Sequence, residues 1–337
     1  METSNILSKL IARQDLSSTD TQDILEGIMN EEITPAQTGA LLTALSMKGE
    51  TPAEIVGFIQ GMRKHMVKVV MKDAIDVCGT GGDNSGTINI STAVALVVTG
   101  AGVKVAKHGN RAASSKSGSA DVLESLGVNI QLKPKDAEEV FNKTGIVFLF
   151  APLYHPATKN VVAVRKELKV RTVFNFLGPF VNPASLERQF IGVPDQEIAA
   201  TLAEVAKTLG YKHLLIVTGE DGLDEVSISA NTVVLEIKNS EVKKFTINPE
   251  DYGIKKVGRE KILGGDVEEN AQAIQQILRG EKGPKRDIVV LNSAYALYIS
   301  GKVNSIEEGI KLAEESIDSG NAKHVLENLI KETKKYA

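Results

Sequence analysis

From residue 74 onward the sequence alternates between short apolar runs and longer stretches with helical periodicity. This alternation predicts strands joined by crossover helices, and therefore an α/β fold with a parallel or mostly parallel sheet. The predicted strands cover residues 74–78, 103–106, 146–150, 190–193 and 214–218. The predicted helices between them cover residues 89–101, 119–126, 134–144 and 196–209. A hairpin is predicted to extend the sheet, with strands at residues 232–237 and 241–247.

The earlier part of the chain predicts helices only. Thr34 and Thr51 each stand directly before a proline, which places an N-cap hydroxyl ahead of a proline at the first helical position. Gln37 and Glu54 follow three residues after these threonines and complete two capping boxes. The change of pattern therefore predicts an all-helical part followed by an α/β part.

The length of 337 residues corresponds to about two domains. The predicted helical domain is residues 1–70, and the predicted α/β domain comprises residues 71–164 and 186–337. Residues 165–185 are mostly helix and turn in pattern, and we expect them to pack back onto the N-terminal helices.

Composition excludes several classes of protein. Lys and Arg total 39 and Asp and Glu total 43, and the resulting net charge of −4 disfavours a nucleic acid or an anionic membrane as partner. One cysteine excludes a disulfide framework and a cysteine-type zinc site. No apolar run reaches about 18 residues, and the N-terminal residues lack the apolar core of a signal peptide. We therefore expect a cytoplasmic protein.

A glycine loop follows the first predicted strand: residues 76–86 read DVCGTGGDNSG, and TINIST then opens a helix. Glycines let backbone N–H groups approach an anion, and a helix N-terminus adds partial positive charge, so the loop predicts a phosphate site. Thr87 stands where a P-loop has lysine, and Asn84 replaces the third glycine of the dinucleotide fingerprint. Asp83 suggests a sugar hydroxyl or a metal beside the phosphate. A simple tight turn is the alternative.

A second loop, residues 107–119 with the sequence KHGNRAASSKSGS, follows the next predicted strand. Lys107 and Arg111 carry charges that suit phosphate groups. Ligands of open α/β sheets bind at the carboxyl ends of strands, so the two loops are expected to converge on one site. A solvated surface loop is the alternative.

These motifs, together with the ordered segments at residues 148–168, 171–184 and 222–227, make the chain resemble the anthranilate phosphoribosyltransferase family of tryptophan biosynthesis. The resemblance implies transfer of ribose 5-phosphate from phosphoribosyl diphosphate (PRPP) to the amino group of anthranilate, with Mg²⁺. It also implies a small all-helical domain hinged to a larger α/β domain with a central, mostly parallel sheet, and a homodimer.

The same resemblance implies site residues. Those implied for PRPP are Gly79, Gly82, Asp83, Thr87, Asn89, Ser91, Thr92, Lys107, Asn110, Arg111, Ser114, Ser115 and Ser119. Those implied for anthranilate are Gly79, His108, Asn110, His155 and Arg165. The implied Mg²⁺ ligands are Asp224 and Glu225, with Ser91 as a further ligand. Which loop holds the 5-phosphate and which the diphosphate is left open.

The sequence departs from the family pattern at Asn84, Thr158, Phe176 and Phe180, which bears on affinity and rate rather than on the reaction class. Two other interpretations compete with the transferase. One is an enzyme like the pyrimidine nucleoside phosphorylases, which would place inorganic phosphate at the glycine loop. The other is a non-catalytic paralogue that binds a nucleotide or nucleic acid.

Overall fold

The computed structural model describes residues 3–112 and 116–337 of the chain. Within them the strands are β1 (Ala74–Gly79), β2 (Lys104–Gly109), β3 (Ile146–Phe150), β4 (Arg188–Gly192), β5 (His213–Gly219), β6 (Thr232–Lys238) and β7 (Glu241–Ile247). The α-helices are α1 (Thr3–Ile11), α2 (Ser18–Met29), α3 (Pro35–Lys48), α4 (Pro52–His65), α5 (Ile90–Gly100), α6 (Ser119–Ser125), α7 (Pro134–Thr144), α8 (Ala151–Tyr154), α9 (Lys159–Leu168), α10 (Phe174–Leu177), α11 (Gln196–Thr208), α12 (Val267–Leu278), α13 (Pro284–Ser300), α14 (Ile306–Asp318) and α15 (Asn321–Thr333).

The N-terminal helices begin at well-defined caps. Thr34 caps α3 and Thr51 caps α4, and in each case the residue three positions on closes a capping box, so both predicted boxes are confirmed. Glu54, the partner of Thr51, is fully buried. Its carboxylate also accepts the backbone N–H of Leu16 at 2.9 Å and the ammonium of Lys48 at 3.0 Å. One cap therefore also ties α4 to the start of α2 and the end of α3.

Helix α9 and the turns after it pack against the N-terminal helices. Asn160 donates a hydrogen bond to the Met29 carbonyl at 3.0 Å, and the rings of Phe174 and Phe58 lie 6.2 Å apart. These contacts begin at the start of α9, earlier than the segment that the sequence predicts to pack back. The domain boundaries themselves stay a prediction.

The described strands form a seven-stranded sheet in the order β3-β2-β1-β4-β5-β6-β7. The pairs from β3 to β5 are parallel, and β6 and β7 add antiparallel pairs, so the predicted mostly parallel sheet is confirmed. Asn239 and Ser240 join the hairpin with φ of 50° and 68°, as a type I′ turn requires. The strand order reverses between β1 and β4, which is where open α/β sheets bind ligands.

Two apolar clusters cover the faces of the sheet. One contains Val77 and Val105 and packs against α5, α13 and α15. The other runs from the N-terminal helices through Phe180 to Ile191 on the opposite face. The helical part therefore shares a core with one face of the sheet. Among the described helices, none is long and apolar enough to cross a membrane.

Candidate active site

Three strands end side by side where the strand order reverses. β1 ends at Gly79, β2 at Gly109 and β4 at Gly192, and Gly79 pairs directly with Gly192. The glycine loop leaves β1 and the second loop leaves β2. Asn89 links them, because its Nδ2 donates to the Ser117 carbonyl at 3.0 Å and its Oδ1 accepts from the Ser117 hydroxyl at 3.1 Å. The structure thus brings the two predicted loops together.

The glycine loop has a backbone conformation that requires glycine at several positions. Gly81, Gly82 and Gly86 have φ of 71°, 78° and 65°, in the left-handed region that favours glycine. Asn84 has φ of 51°, and asparagine is one of the few other residues that adopts this conformation readily. The loop is anchored by the N–H of Gly81, which donates to the carboxylate of Asp224 at 2.9 Å.

Asp83, Asp224 and Glu225 form a carboxylate cluster beside this loop. Burial, followed by the charge of Asp83, raises the pKa of Asp224 to about 8. Burial and the charge of Asp224 raise the pKa of Glu225 well above its usual value. Asp83 Oδ2 and Glu225 Oε2 are buried and have no hydrogen-bond partner among the described residues. Because buried carboxylates repel one another, the cluster favours a cation, and its oxygens suit Mg²⁺.

The cluster does not make a complete metal cage by itself. Over residues 3–112 and 116–337, no group of three His, Cys, Asp or Glu side chains has a metal-binding arrangement. Mg²⁺ is commonly held by one or two carboxylates together with substrate phosphates and waters. The backbone of Ser91, at the start of α5, opposes the rise that burial causes in the pKa of Glu225, which places Ser91 beside that carboxylate. The residues therefore fit a Mg²⁺ ion that shares its coordination with a phosphate ligand.

Lys107 lies beneath the loop rather than in the open cleft. It is 3% exposed, and its ammonium donates to the Val77 carbonyl at 2.5 Å and to the Ser91 hydroxyl at 3.1 Å. Its charge opposes the rise that burial causes in the pKa of Asp76 and of Glu225. The ammonium thus orients Ser91 and balances buried negative charge. Its predicted contact with phosphate stays a prediction.

Arg111 points to the surface and is already paired. Its guanidinium lies 2.9 Å from Asp121 and 2.5 Å from Glu124, both on α6. Asn110 lies in the same loop, and its carbonyl accepts a hydrogen bond from the Ser119 hydroxyl at 3.3 Å. Both contacts come from Nη1, so Arg111 could donate to a phosphate from Nη2 while keeping its two carboxylate partners. Its role in binding PRPP also stays a prediction.

The predicted hydroxyls fall into three groups. Thr92 is buried in the first turn of α5, and its hydroxyl has no partner within the described chain. The hydroxyl of Thr87 lies 3.3 Å from that of Ser85, inside the glycine loop. Ser114 and Ser115 lie outside the described residues.

The two predicted acceptor histidines form a buried pair. The ring centroids of His108 and His155 are 5.1 Å apart, and His108 Nδ1 lies 3.2 Å from the Gly178 carbonyl. Burial lowers the pKa of His108 to about 3 and that of His155 to about 4. His108 Nε2 and both ring nitrogens of His155 have no hydrogen-bond partner among the described residues. At neutral pH the pair is therefore uncharged.

Arg165 is a half-buried cation with no carboxylate within ion-pair distance among the described residues. Its guanidinium carbon lies 5.5 Å from the ring centroid of Phe174, and burial lowers its pKa. In the part of the chain that the structure describes, it forms no ion pair, and the neighbouring Glu167 does not reach it. A stacked guanidinium without a partner is suited to hold a carboxylate ligand.

A buried hydrogen-bond network behind His108 is not predicted from the sequence. Asn182 Nδ2 donates to Asp76 Oδ2 at 2.9 Å and to the Ala106 carbonyl at 2.8 Å. The same Asp76 oxygen lies 3.4 Å from the backbone N–H of His108, and burial raises the pKa of Asp76 to about 6. The network fixes the chain after α10 against β1 and β2. The available signal was a carboxylate inside an apolar strand.

Comparison with known proteins defines the class. Residues 71–323 match the model of the glycosyl transferase family, a/b domain, and residues 4–66 match that of the glycosyl transferase family, helical bundle domain. The predicted combination of a helical domain with a larger α/β domain is confirmed.

Individual relatives narrow the family. An anthranilate phosphoribosyltransferase from Methanobrevibacter smithii is 48% identical over 326 residues, which cover 96% of this chain and 97% of the relative. The crystal structure of the enzyme of that name from Thermus thermophilus is 40% identical, with a TM-score of 0.91 and coverage of 98% and 99%. The Saccharomyces cerevisiae enzyme, solved in complex with PRPP and Mg, is 30% identical, with a TM-score of 0.91 and coverage of 99% and 98%. This chain belongs to the anthranilate phosphoribosyltransferase family.

Proposed function

We propose that this chain transfers the 5-phosphoribosyl group of PRPP to the amino group of anthranilate, giving N-(5-phosphoribosyl)anthranilate and diphosphate with Mg²⁺ bound. The observation that carries the proposal is the carboxylate cluster, with two unpartnered oxygens beside a phosphate-type glycine loop. The names of the relatives support the substrates, and the yeast complex with PRPP and Mg supports the metal.

On the donor side, the site must stabilise the charges that develop as PRPP is cleaved. When the bond between ribose C1 and diphosphate breaks, the ribose ring becomes positive and the leaving group gains negative charge. The backbone N–H groups of the glycine loop and the N-terminus of α5 stabilise that negative charge. Mg²⁺, held by the carboxylate cluster with Ser91, would neutralise diphosphate further. Lys107 keeps the Ser91 hydroxyl in place from below.

The acceptor half depends on orientation. The guanidinium of Arg165 would grip the anthranilate carboxylate with two parallel hydrogen bonds. Uncharged His108 and His155 do not repel the positive charge that develops on ribose. The amine nitrogen then forms its bond to C1 while the C1–oxygen bond to diphosphate breaks, and the nitrogen afterwards loses a proton to water. An aromatic amine is neutral at pH 7, so no strong base is required.

The reaction is tested by following anthranilate fluorescence with PRPP and Mg²⁺, and with each component omitted in turn. We expect fluorescence to fall only in the complete mixture. A folded protein that leaves anthranilate unchanged would contradict the proposal and direct the next assay to phosphorolysis of nucleosides. The carboxylate cluster favours the transferase over the phosphorylase. Three carboxylates beside an anion site need a cation between them and the anion, and the Mg²⁺ that accompanies PRPP supplies one, whereas inorganic phosphate alone does not.

Gly192→Ala should disable the carboxylate cluster. A Cβ on Gly192 would overlap the carbonyl oxygen of Asp224, and one on Gly79 would overlap its carboxylate. We expect the transfer rate to fall at least about 100-fold as Asp224 is displaced, with a loss of about 1–3 kcal/mol in the free energy of unfolding. Activity assays and urea unfolding measure both. Gly39→Ala is the control, because its Cβ would make only an ordinary contact, 3.6 Å from Val164; equal activities of the two variants would contradict the prediction.

The predicted homodimer is proposed to form through the helical domain. Ile11 in α1, Met47 in α3 and Val170 after α9 expose 77%, 73% and 56% of their surface, on elements that pack against each other. Met47→Glu should therefore convert the dimer to a monomer in light scattering coupled to gel filtration. Val70→Glu is the control, at an apolar residue 67% exposed beyond these helices. If Met47→Glu keeps the mass of the wild type, this interface is wrong.

A cytoplasmic location is proposed from composition. Cys78 is buried and unpaired, as suits a reducing compartment, and fractionation of the source cells is the direct test.

A further inference from the structure

Arg171 lies between the helical part and the glycine loop and contacts both. It lies between α9 and α10 and is not among the residues assigned to either substrate or to the metal. The Ser46 hydroxyl of α3 donates to its backbone carbonyl at 3.1 Å, which ties its main chain to the helical part. Its guanidinium extends the other way and donates from Nη2 to the Gly81 carbonyl at 3.3 Å. One residue therefore spans the two parts.

The guanidinium fits the loop closely. A Cβ on Gly82 would lie 3.2 Å from Arg171 Nη2 and 3.3 Å from Cζ, so the missing side chain at Gly82 lets the guanidinium approach the backbone. On the other side, the guanidinium carbon lies 5.8 Å from the ring centroid of Phe176, which is buried. Stacking on an aromatic ring restricts a guanidinium and favours a directed hydrogen bond.

Both the carbonyl and the N–H of Gly81 therefore form hydrogen bonds. Its carbonyl accepts from Arg171, and its N–H donates to Asp224 in the carboxylate cluster. A loop with three positive-φ glycines has high backbone freedom, so these two contacts restrict a segment that would otherwise sample many conformations. The Arg171 contact is the one that comes from the helical part.

We propose that Arg171 is a positioning residue that holds the glycine loop in the geometry that binds PRPP and couples that geometry to the helical part. The proposal rests on the proposed transferase function. Arg171 acts on the reaction through the Gly81 carbonyl, and it forms no ion pair with a described carboxylate.

The test combines loop exchange with kinetics for Arg171→Ala and Phe176→Leu. The side chain of Arg171 is exposed, so its truncation should leave the fold intact, which a melting curve checks. Hydrogen–deuterium exchange of the peptide that covers the glycine loop should be faster in Arg171→Ala than in the wild type. The KM for PRPP should rise about tenfold, as expected for loss of one charge-assisted hydrogen bond, while the KM for anthranilate stays within about twofold. Phe176→Leu should change both quantities in the same direction by a smaller factor, and Lys166→Ala, an exposed cation on α9, should change neither.

Three results would overturn the proposal. Unchanged exchange together with unchanged kinetics would mean that the contact holds nothing. A raised KM for PRPP with unchanged loop exchange would mean that Arg171 touches the donor itself. Faster exchange with an unchanged KM would mean that the loop geometry is not what binds PRPP. If the wild type does not consume anthranilate, the proposed function fails separately, and exchange together with calorimetric titration of Mg²⁺ and PRPP still decides whether Arg171 positions the loop.

Discussion

Arg165→Ala should raise the KM for anthranilate about 100-fold while the KM for PRPP changes little. The guanidinium of Arg165 is half-buried, stacked on Phe174 and without an ion-pair partner among the described residues, so a carboxylate ligand would be its main electrostatic contact. Losing a bidentate charge-assisted contact of this kind costs about 2–3 kcal/mol of binding energy, which corresponds to the expected factor. Steady-state kinetics with each substrate varied in turn measures it.

Two further variants define the role of Arg165. Arg165→Lys keeps the charge but loses the planar fork, so its KM for anthranilate should lie between those of the wild type and the alanine variant. Lys166→Ala removes the exposed neighbouring charge and should leave both KM values unchanged. An alanine variant with wild-type anthranilate kinetics would remove Arg165 from the acceptor site.

The double variant Asp224→Asn, Glu225→Gln should lose most of its response to Mg²⁺. Glu225 is buried and Asp224 partly buried, and burial together with the neighbouring carboxylates raises the pKa of both carboxyl groups. Amides are nearly the same size but carry no charge, so the fold should survive while the attraction for a divalent cation falls. We expect kcat to fall at least about 100-fold and half-saturation to need about tenfold more Mg²⁺. Activity measured across a Mg²⁺ titration tests both.

A matched control distinguishes the loss of charge at the carboxylate cluster from the loss of negative charge elsewhere on the protein. Glu250 and Asp251 are also adjacent acidic residues, but they lie in an exposed turn after β7. Glu250→Gln with Asp251→Asn removes the same two charges and should reproduce the wild-type Mg²⁺ curve. Identical curves for the two double variants would exclude Asp224 and Glu225 as metal ligands.

Local signals account for most of what the sequence predicts about the fold. The capping boxes at Thr34 and Thr51 act within four residues, and the turn at Asn239 and Ser240 within two. The predicted ends of the strands were less accurate. For example, β2 extends to Gly109, three residues beyond its predicted end, because hydrogen bonds to β3 rather than apolar pattern determine where it stops.

The site was predictable where residues lie in continuous motifs. The glycine loop and the Asp224-Glu225 pair are read directly from the chain, but their meeting depends on residues far away. Gly192 must lack a side chain so that Asp224 can approach, and Asn182 reaches Asp76 across 106 positions of sequence. Such contacts leave no local pattern.

The roles of the charged side chains in the second loop could not be predicted from the sequence either. Lys107 and Arg111 look equivalent in sequence, yet one is buried under Ser91 and the other pairs with α6 at the surface. Their position relative to the strand decides this, because Lys107 lies within β2 while Arg111 follows its end. Charge and spacing alone could not separate a positioning role from a surface ion pair.

The proposed reaction couples the release of diphosphate to the consumption of anthranilate, so the stoichiometry of the two tests it. Diphosphate and anthranilate would be measured together in one reaction with the wild-type protein, PRPP and Mg²⁺. We predict one diphosphate released for each anthranilate consumed, and negligible release when anthranilate is left out. Diphosphate release that does not depend on anthranilate, or unconsumed anthranilate beside cleavage of nucleosides by inorganic phosphate, would contradict the proposed transfer.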